Sequence, residues 1–390
     1  MAGLRNCPPD IEAAPSMTCV AVLIEFPTVS GGENSLFALL DALRRRGDAL
    51  APLLLAPGAG AFAERARALG LALRPYELRA DGRRRAFAAV AEDLAPILRE
   101  EGAALVHANS LSAAEYSGLI GEQSGIPATG HVRDIQKLKR SRVARLAKNQ
   151  RLIAVSEATR RHLVAQGLED QRCVAVHNGV DSDFGAGLTP ASPLRPAGSP
   201  EPTATVAMIG QICLRKAQDL GLEAMVPLLR ERPGLELLVI GERFSAKAES
   251  IAFETALHDR AGSAGVAGRV RFLGYRDDVA AILRGTTLLL HPAHQEPLGR
   301  VLLEAQSAGV PVVARRIGGN AEVVQHGETG LLTGDSPEAL RDALASLLDD
   351  EERRSAMGRR AQRRMAAKFT PEQCAAGVAE VWSAVLRDAS

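Results

Sequence analysis

Two carboxylates, Glu296 and Glu304, stand eight positions apart in the run HPAHQEPLGRVLLEAQSAG that begins at His291. Pro297, Leu298 and Gly299 spell a turn and Arg300 opens a helical pattern, so Glu296 falls in a loop and Glu304 about one turn into a helix. Such a segment offers loop amides, a helix N-terminus and a carboxylate at each end that can only accept hydrogen bonds. A sugar nucleotide presents the matching groups, with hydroxyls on hexose and ribose and a diphosphate between them. Spacing alone fits a helix with an acidic first turn equally well. Upstream, the loop IGQICLRK runs from Ile209 through Gly210 to Arg215 and Lys216, putting two cations after a strand-like run. Gly31 and Gly32 lie between the first strand and its helix, where glycine lets the backbone approach an anion; a plain tight turn explains the pair as well.

Short apolar runs alternating with helical spacing must position these groups. Thr18 to Glu25 (TCVAVLIE) reads as a buried strand and Ser35 to Arg46 as the helix after it. Further strands are predicted at ALAPLLLA, Ala104–His107, Ile126–His131 and Arg151–Val155, with helices at Ala61–Leu69 and Phe87–Glu100. Thr189 to Thr203 holds five prolines without apolar periodicity and reads as a linker. Beyond it the alternation restarts, with strands at Thr205–Ile209, Leu235–Ile240, Val270–Leu273, Thr287–Leu290 and Val310–Ala314. The helices between them fall at Leu220–Arg230, Ser245–Ala261 and Arg300–Ser307, followed by Pro337–Asp349 and more helix to about Lys368. Strand–helix alternation means parallel sheets covered on both faces. The expected fold class is therefore α/β, two Rossmann-like doubly wound domains facing each other across a cleft at the carboxyl ends of both sheets.

Composition narrows the function. A length of 390 residues exceeds one ordinary core. A net charge of +1 argues against a general nucleic-acid binder. The five cysteines, Cys7, Cys19, Cys173, Cys213 and Cys374, are far apart and suggest neither a zinc site nor a disulfide framework. Pro8, Pro9, Asp10 and Glu12 break the N-terminus, so residues 1–17 read as a flexible tail and not a signal peptide. No apolar run is long enough to span a bilayer.

The order of motifs resembles the family-four glycosyltransferases of the GT-B fold, from Thr18 to about Phe369. The blocks are SGGE (Ser30–Glu33), HVRD (His131–Asp134), IAVSEATR (Ile153–Arg160), HNGVD (His177–Asp181), IGQICLRK, VIGE (Val239–Glu242), VRFLGYRDDV (Val270–Val279) and GGNAEVV (Gly318–Val324). They surround the E-x7-E element at Glu296–Glu304. The resemblance implies an acceptor domain over 18–188, a linker at 189–203, a donor domain over 204–370 and a C-terminal helix, 371–390, crossing back to the first domain. It implies a retaining transfer from a nucleotide diphosphate sugar, a UDP-sugar by expectation, to an acceptor hydroxyl of a saccharide, lipid-linked or small molecule. No further cofactor and no metal are implied. His131, Glu296 and Lys216 would be catalytic. Gly31, Gly32, Gly210, Arg215, Lys216, Gly274, Tyr275, Glu296, Leu298, Gly299, Leu302 and Glu304 would bind the donor. Glu296 would meet the transferred sugar, Glu304 the ribose, Lys216 the diphosphate, and the segment at Gly274 and Tyr275 the base. Pro297 has no N–H, so amide contacts rest on Leu298 and Gly299.

The chain departs from the family pattern in two places. Gln211 stands where many relatives carry Arg, leaving Arg215 or Arg300 to supply a second cation, with Arg215 preferred. EPLG replaces the more usual EGFG, so Leu298 removes an aromatic and weakens inference about the donor sugar. His107, His177, His291, His294 and His326 read as structural or loop histidines, and Asp181 with Asp183 as a domain-edge turn. From His131 to Arg151 eight Lys or Arg meet one acid, Asp134, alternating with Leu138, Val143 and Leu146. That stretch is either a solvated helix face or a surface for an anionic acceptor or membrane, consistent with a cytoplasmic protein, peripheral at the inner membrane face. Three rivals remain. An oxidoreductase needs a G-x-G-x-x-G turn that SGGENS lacks. A phosphorylase or sugar-nucleotide epimerase would keep the fold. A non-catalytic binder would have no need of Glu296, Glu304 and Lys216.

Overall fold

Strands form where apolar, β-branched runs are bounded by loops, and each main sheet is parallel throughout. The computed structural model describes residues 17–182, 184–189 and 202–389. The predicted tail other than Met17, most of the predicted linker, Cys7 and Asp183 lie outside the described residues.

The first sheet comprises β1 (Thr18–Leu23), β2 (Leu50–Ala56), β3 (Ala72–Pro75), β6 (Ala103–Ala108), β7 (Ala128–Val132), β8 (Arg151–Ala154) and β9 (Cys173–Ala175). Its order is β3-β2-β1-β6-β7-β8-β9, so the chain reverses direction of travel at β1 and β6. A separate hairpin, β4 (Arg79–Ala80) and β5 (Arg83–Arg84), had no sequence signal beyond its arginines. Around this sheet lie α1 (Gly31–Arg46), α2 (Ala61–Ala68), α3 (Phe87–Glu100), α4 (Leu111–Ser124), α5 (Arg140–Leu146) and α6 (Glu157–Ala165). Helix α1 begins four residues earlier than its apolar spacing suggests. Ser30 and Glu33 form a capping box, so Gly31 and Gly32 are its first turn and not a preceding loop.

The second sheet holds β10 (Ala204–Ile209), β11 (Leu235–Ile240), β12 (Val270–Phe272), β13 (Leu288–His291), β14 (Val312–Arg315) and β15 (Gly330–Thr333). Its order, β12-β11-β10-β13-β14-β15, reverses at β10 and β13. Strand β14 starts two residues later than predicted, because the Val310 amide still closes the end of the preceding helix on Ala305. The helices are α7 (Gln218–Glu231), α8 (Ala248–Ser263), α9 (Val279–Arg284), α10 (Arg300–Ser307), α11 (Asn320–Val323), α12 (Pro337–Leu348), α13 (Glu351–Lys368) and α14 (Pro371–Ala389).

Helix α14 lies on the first sheet, not the second. Trp382, Val378 and Val385 pack in one cluster with Val20, Val22, Leu36 and Leu40. Trp382 is fully buried, and truncating it to Ala would cost about 3–5 kcal/mol. Among the described residues no helix is long and apolar enough to cross a membrane.

Candidate functional site

In open α/β sheets a ligand crevice forms beyond the carboxyl ends of the strands, where strand order reverses. In the second sheet that point lies between β10 and β13. Strand β10 runs into Gly210, whose φ of 148° no L side chain adopts easily, and the Lys216 side chain lies over this glycine. Strand β13 ends on His291. Lys216 Nζ donates to Glu296 Oε2 at 2.6 Å, and His291 Nε2 lies 2.9 Å from the same oxygen. Glu296 is 6% exposed. Burial opposes its ionisation, yet the Lys216 charge and the His291 hydrogen bond hold its carboxyl well below the usual carboxylate range. Burial pushes the His291 imidazole down, against the pull of Glu296, so a neutral ring donates its Nε2–H to the carboxylate.

The turn after Glu296 rests on two glycines. A Cβ at Gly318, where φ is +48°, would stand 1.9 Å from the Glu296 carbonyl oxygen. One at Gly319 would stand 2.3 Å from that of Pro297, and the Gly319 amide donates to the Glu296 carbonyl. With that carbonyl engaged, the helix amides look elsewhere. Among the described residues no acceptor meets the N–H groups of Leu298, Gly299, Arg300 and Val301. Leu298 and Leu302 send their side chains into the core, and the Leu302 amide donates to the Gly299 carbonyl, so of the two only Leu298 keeps an amide without a partner among the described residues. Glu304 receives Arg300 Nε at 2.6 Å. Arg215 is exposed and donates to the Gln295 carbonyl at 3.3 Å. Buried Arg315 ties the loop from below through His294 Nδ1 at 2.6 Å and the carbonyls of Pro292 and Ala293.

The first domain closes against this wall. Arg300 Nη1 donates to Ser35 Oγ at 3.1 Å, and its Cδ would lie 3.8 Å from a Cβ on Gly31. Ser156 Oγ donates to the Pro297 carbonyl at 2.5 Å. The Glu322 carboxylate receives the amides of Glu157 and Ala158, both at 2.8 Å, and His177 Nε2 at 2.7 Å. Gly274, at φ +64°, precedes Tyr275, which is 62% exposed and lies within electrostatic reach of Arg65 on α2.

His131, expected at the acceptor side of the cleft, has no exposed surface. Burial, reinforced by Arg133, pushes its pKa well below the ordinary value. Arg133 Nη2 lies 3.3 Å from its Nδ1, while its Nε2 meets no protein partner. The group that reaches the glycine turn is Arg133, whose Cδ would be 3.3 Å from a Cβ on Gly32. Its guanidinium donates to Asn178 at 2.6 Å and Asn109 at 3.0 Å. Sequence reasoning missed Arg133, His291, Arg315 and Glu322 as site groups. His291 was readable from its position, since the last residue of a strand at the reversal point faces the crevice; Arg315 and Glu322 carried no such signal.

Residues 194–364 match the model of the glycosyl transferases group 1, and residues 29–184 match that of Glycosyltransferase Family 4. D-inositol 3-phosphate glycosyltransferase 2 of Catenulispora acidiphila is 31% identical over 306 residues, covering 73% of this chain and 71% of that protein. The lipopolysaccharide core biosynthesis mannosyltransferase LpsB of Rhizobium meliloti is 30% identical over 228 residues, 58% of this chain and 61% of that enzyme, less than two thirds of its length. Among solved structures, Anabaena HepE in complex with UDP-glucose superposes with a TM-score of 0.77 at 20% identity, over 94% of this chain and 99% of that one. A glycosyltransferase from Rickettsia africae gives 0.79 at 16% identity, over 95% and 99%. At these identities the structural likeness speaks for the fold.

Proposed function

The chain belongs to the group 1, family-four glycosyltransferases of the GT-B fold, and on that premise we propose that it transfers a sugar from a nucleotide diphosphate donor to an acceptor hydroxyl with retention. The observation that carries the reading is the Lys216–Glu296–His291 cluster at the reversal point of the second sheet, beside four amides without internal acceptors. Residues 204–370 form the donor side and 18–188 the acceptor side. An ammonium has three protons, so Lys216 can keep Glu296 and also donate to the leaving diphosphate. Charge that develops there as the anomeric C–O bond breaks is met by Lys216, exposed Arg215 and the α10 N-terminus, with no metal required. Glu296 takes hydroxyls of the transferred sugar, and Glu304 those of the ribose. The Gly274–Tyr275 segment packs on the base, with uridine the first to test. Gly31 and Gly32 leave room for phosphate beside Arg133. In the transfer step the acceptor oxygen bonds the anomeric carbon on the face the diphosphate leaves, and its proton passes to a departing phosphate oxygen. His131, being buried, acts through Arg133 and is a positioning residue.

The deciding experiment measures nucleotide diphosphate release and the anomeric configuration of the product, using a panel of nucleotide sugars and acceptors with and without chelator. Release that requires both partners, with retained configuration, supports the proposal. Inverted product, or a strict need for added metal, removes retention or metal independence respectively. A thermal shift with UDP tests the base, since a ligand that binds the folded state raises Tm.

A further inference from the structure

The donor chemistry leaves one histidine at the crevice unused. His294 lies in the loop after β13, two residues before Glu296, and stands exposed between buried Ala293 and buried Glu296. Its backbone amide donates to the Arg215 carbonyl at 2.9 Å, which ties the loop after β13 to the loop after β10. These are the two loops that flank the reversal point of the second sheet. His294 therefore stands on the rim of the crevice that holds Lys216 and Glu296.

A buried guanidinium holds its ring. Arg315 is the last residue of β14, which pairs with β13 at His291 and Ala314, and its side chain is 8% exposed. Arg315 Nη1 reaches His294 Nδ1 at 2.6 Å and the carbonyls of Ala293 and Pro292 at 3.2 and 3.4 Å. Its Nε and Nη2 reach Asp335 Oδ1 at 3.2 and 2.7 Å. A guanidinium can only donate, so His294 Nδ1 accepts and the single ring proton stands on Nε2. The two nitrogens diverge from the ring, and with Nδ1 tied inward the Nε2–H points away from the buried side. Among the described residues no hydrogen-bond partner meets it. Burying a guanidinium is unfavourable unless its donors are engaged, and here nearly all of them are directed at one loop and one imidazole. That is how a side chain is fixed for binding, and an ordinary surface histidine has no such support.

We infer that His294 is a specificity-determining residue of the donor site, its Nε2–H donating to an oxygen of the transferred sugar, with Arg315 the positioning residue beneath it. The inference rests on the transferase reading of the cleft. A sugar hydroxyl both donates and accepts, whereas Glu296 can only take its proton. Lys216 and Arg215 carry charge suited to the diphosphate. His294 supplies the remaining complement, an uncharged donor of fixed direction that answers the lone pairs of a hydroxyl. Such a donor separates a sugar that places an oxygen there from one that does not.

Calorimetry without acceptor tests it, with UDP-glucose against UDP and GDP-mannose against GDP as probes. In the pair that the wild type binds, His294→Ala should lower affinity for the nucleotide sugar about 3- to 10-fold, the scale of one neutral hydrogen bond, and leave the free diphosphate unchanged. His294→Gln, which keeps an N–H at similar reach, should restore most of that loss. Arg315→Met should show the same selective loss and add little to His294→Ala in the double variant, whereas a merely structural role would weaken both ligands alike. Unchanged affinity for the nucleotide sugar in His294→Ala, or an equal loss for nucleotide sugar and free diphosphate, would overturn the inference. Failure of both free diphosphates to bind the wild type would count against the donor reading itself and take this inference with it.

Discussion

At the reversal point of the second sheet the central group is an anion, Glu296, answered by Lys216 and by neutral His291. At the equivalent place in the first domain the central group is a cation, Arg133, answered by the neutral amides of Asn109 and Asn178 and by His131. The first arrangement is internally neutral before any ligand arrives. The second leaves a positive charge in the cleft with no carboxylate partner within ion-pair distance among the described residues. A preformed neutral cluster suits recognition of hydroxyls, and an unanswered cation suits an anion approaching over Gly32. One fold has thus been given opposite electrostatics on its two walls.

The most direct way to break this comparison is to remove the anion. Glu296→Gln and Lys216→Met should each lower transfer by about 100- to 1000-fold, the usual scale for a group that stabilises developing charge. Initial rates of nucleotide release measure this, with circular dichroism to confirm a folded chain. If Arg133→Gln proves more damaging to turnover than either, the weight of the chemistry lies on the other wall.

Next in size is a backbone effect peculiar to the second wall. Gly318→Ala must move the Glu296 carbonyl, since the new Cβ would lie 1.9 Å from it, whereas Gly327→Ala meets nothing within 4 Å. Both residues have positive φ, so each variant pays about 1 kcal/mol of backbone strain, but only Gly318→Ala should lose about 3 kcal/mol or more and its activity with it. Equal losses of Tm in the two variants would show that the turn is not held by that contact.

The pH dependence separates the walls by window, since both lose stability as pH falls. Burial first, then Arg133, holds His107 down to about 3, and His131 shifts the same way. The unfolded chain therefore takes up these protons first as pH falls below about 6.5, and stability is lost from there downward. At pH 5 His107 should cost about 2 kcal/mol, and His131 adds a loss of the same sign. Glu296 has a folded value below its unfolded one, so its contribution is complete above about pH 4.5 and is lost only as pH falls further. Thermal unfolding from pH 7.5 to 3 should thus decline in two stages. A His107→Asn variant should flatten the upper one, and an unchanged slope in that variant would remove His107 from the account.

The legibility of the two walls followed the same divide. Glu296, Glu304, Lys216 and the glycines lie within short segments whose geometry is local, so residue type and spacing carry them. His131 stood out by its motif, but burial is a tertiary property set by α14, whose Trp382 indole donates to His107 at 3.2 Å beneath it. The hairpin at Arg79 was invisible because its strands are too short for a period-2 pattern and it is held by Glu25 and Glu115, which lie far off in sequence. The strand and helix order was readable from apolar periodicity, while edge strands such as β9, three residues long, were not.

The smallest expected effect concerns what joins the walls. Glu322 sits on α11 of the second domain, yet its carboxylate caps the first turn of α6 in the first through two backbone amides and accepts from His177. Burial works against its charge, but these hydrogen bonds keep its carboxyl below the ordinary range. Glu322→Gln retains one acceptor oxygen and loses the charge, which should cost about 1 kcal/mol of stability. The consequence for function is larger than the stability change suggests, because Ser156, one residue before the capped turn, donates to the Pro297 carbonyl directly beside Glu296. Loosening α6 should therefore raise KM for the donor two- to fivefold with little change in kcat. Small-angle scattering with and without UDP would show whether the variant populates a more open form. A variant with wild-type KM and an unchanged scattering profile would mean that each wall is assembled independently of the other.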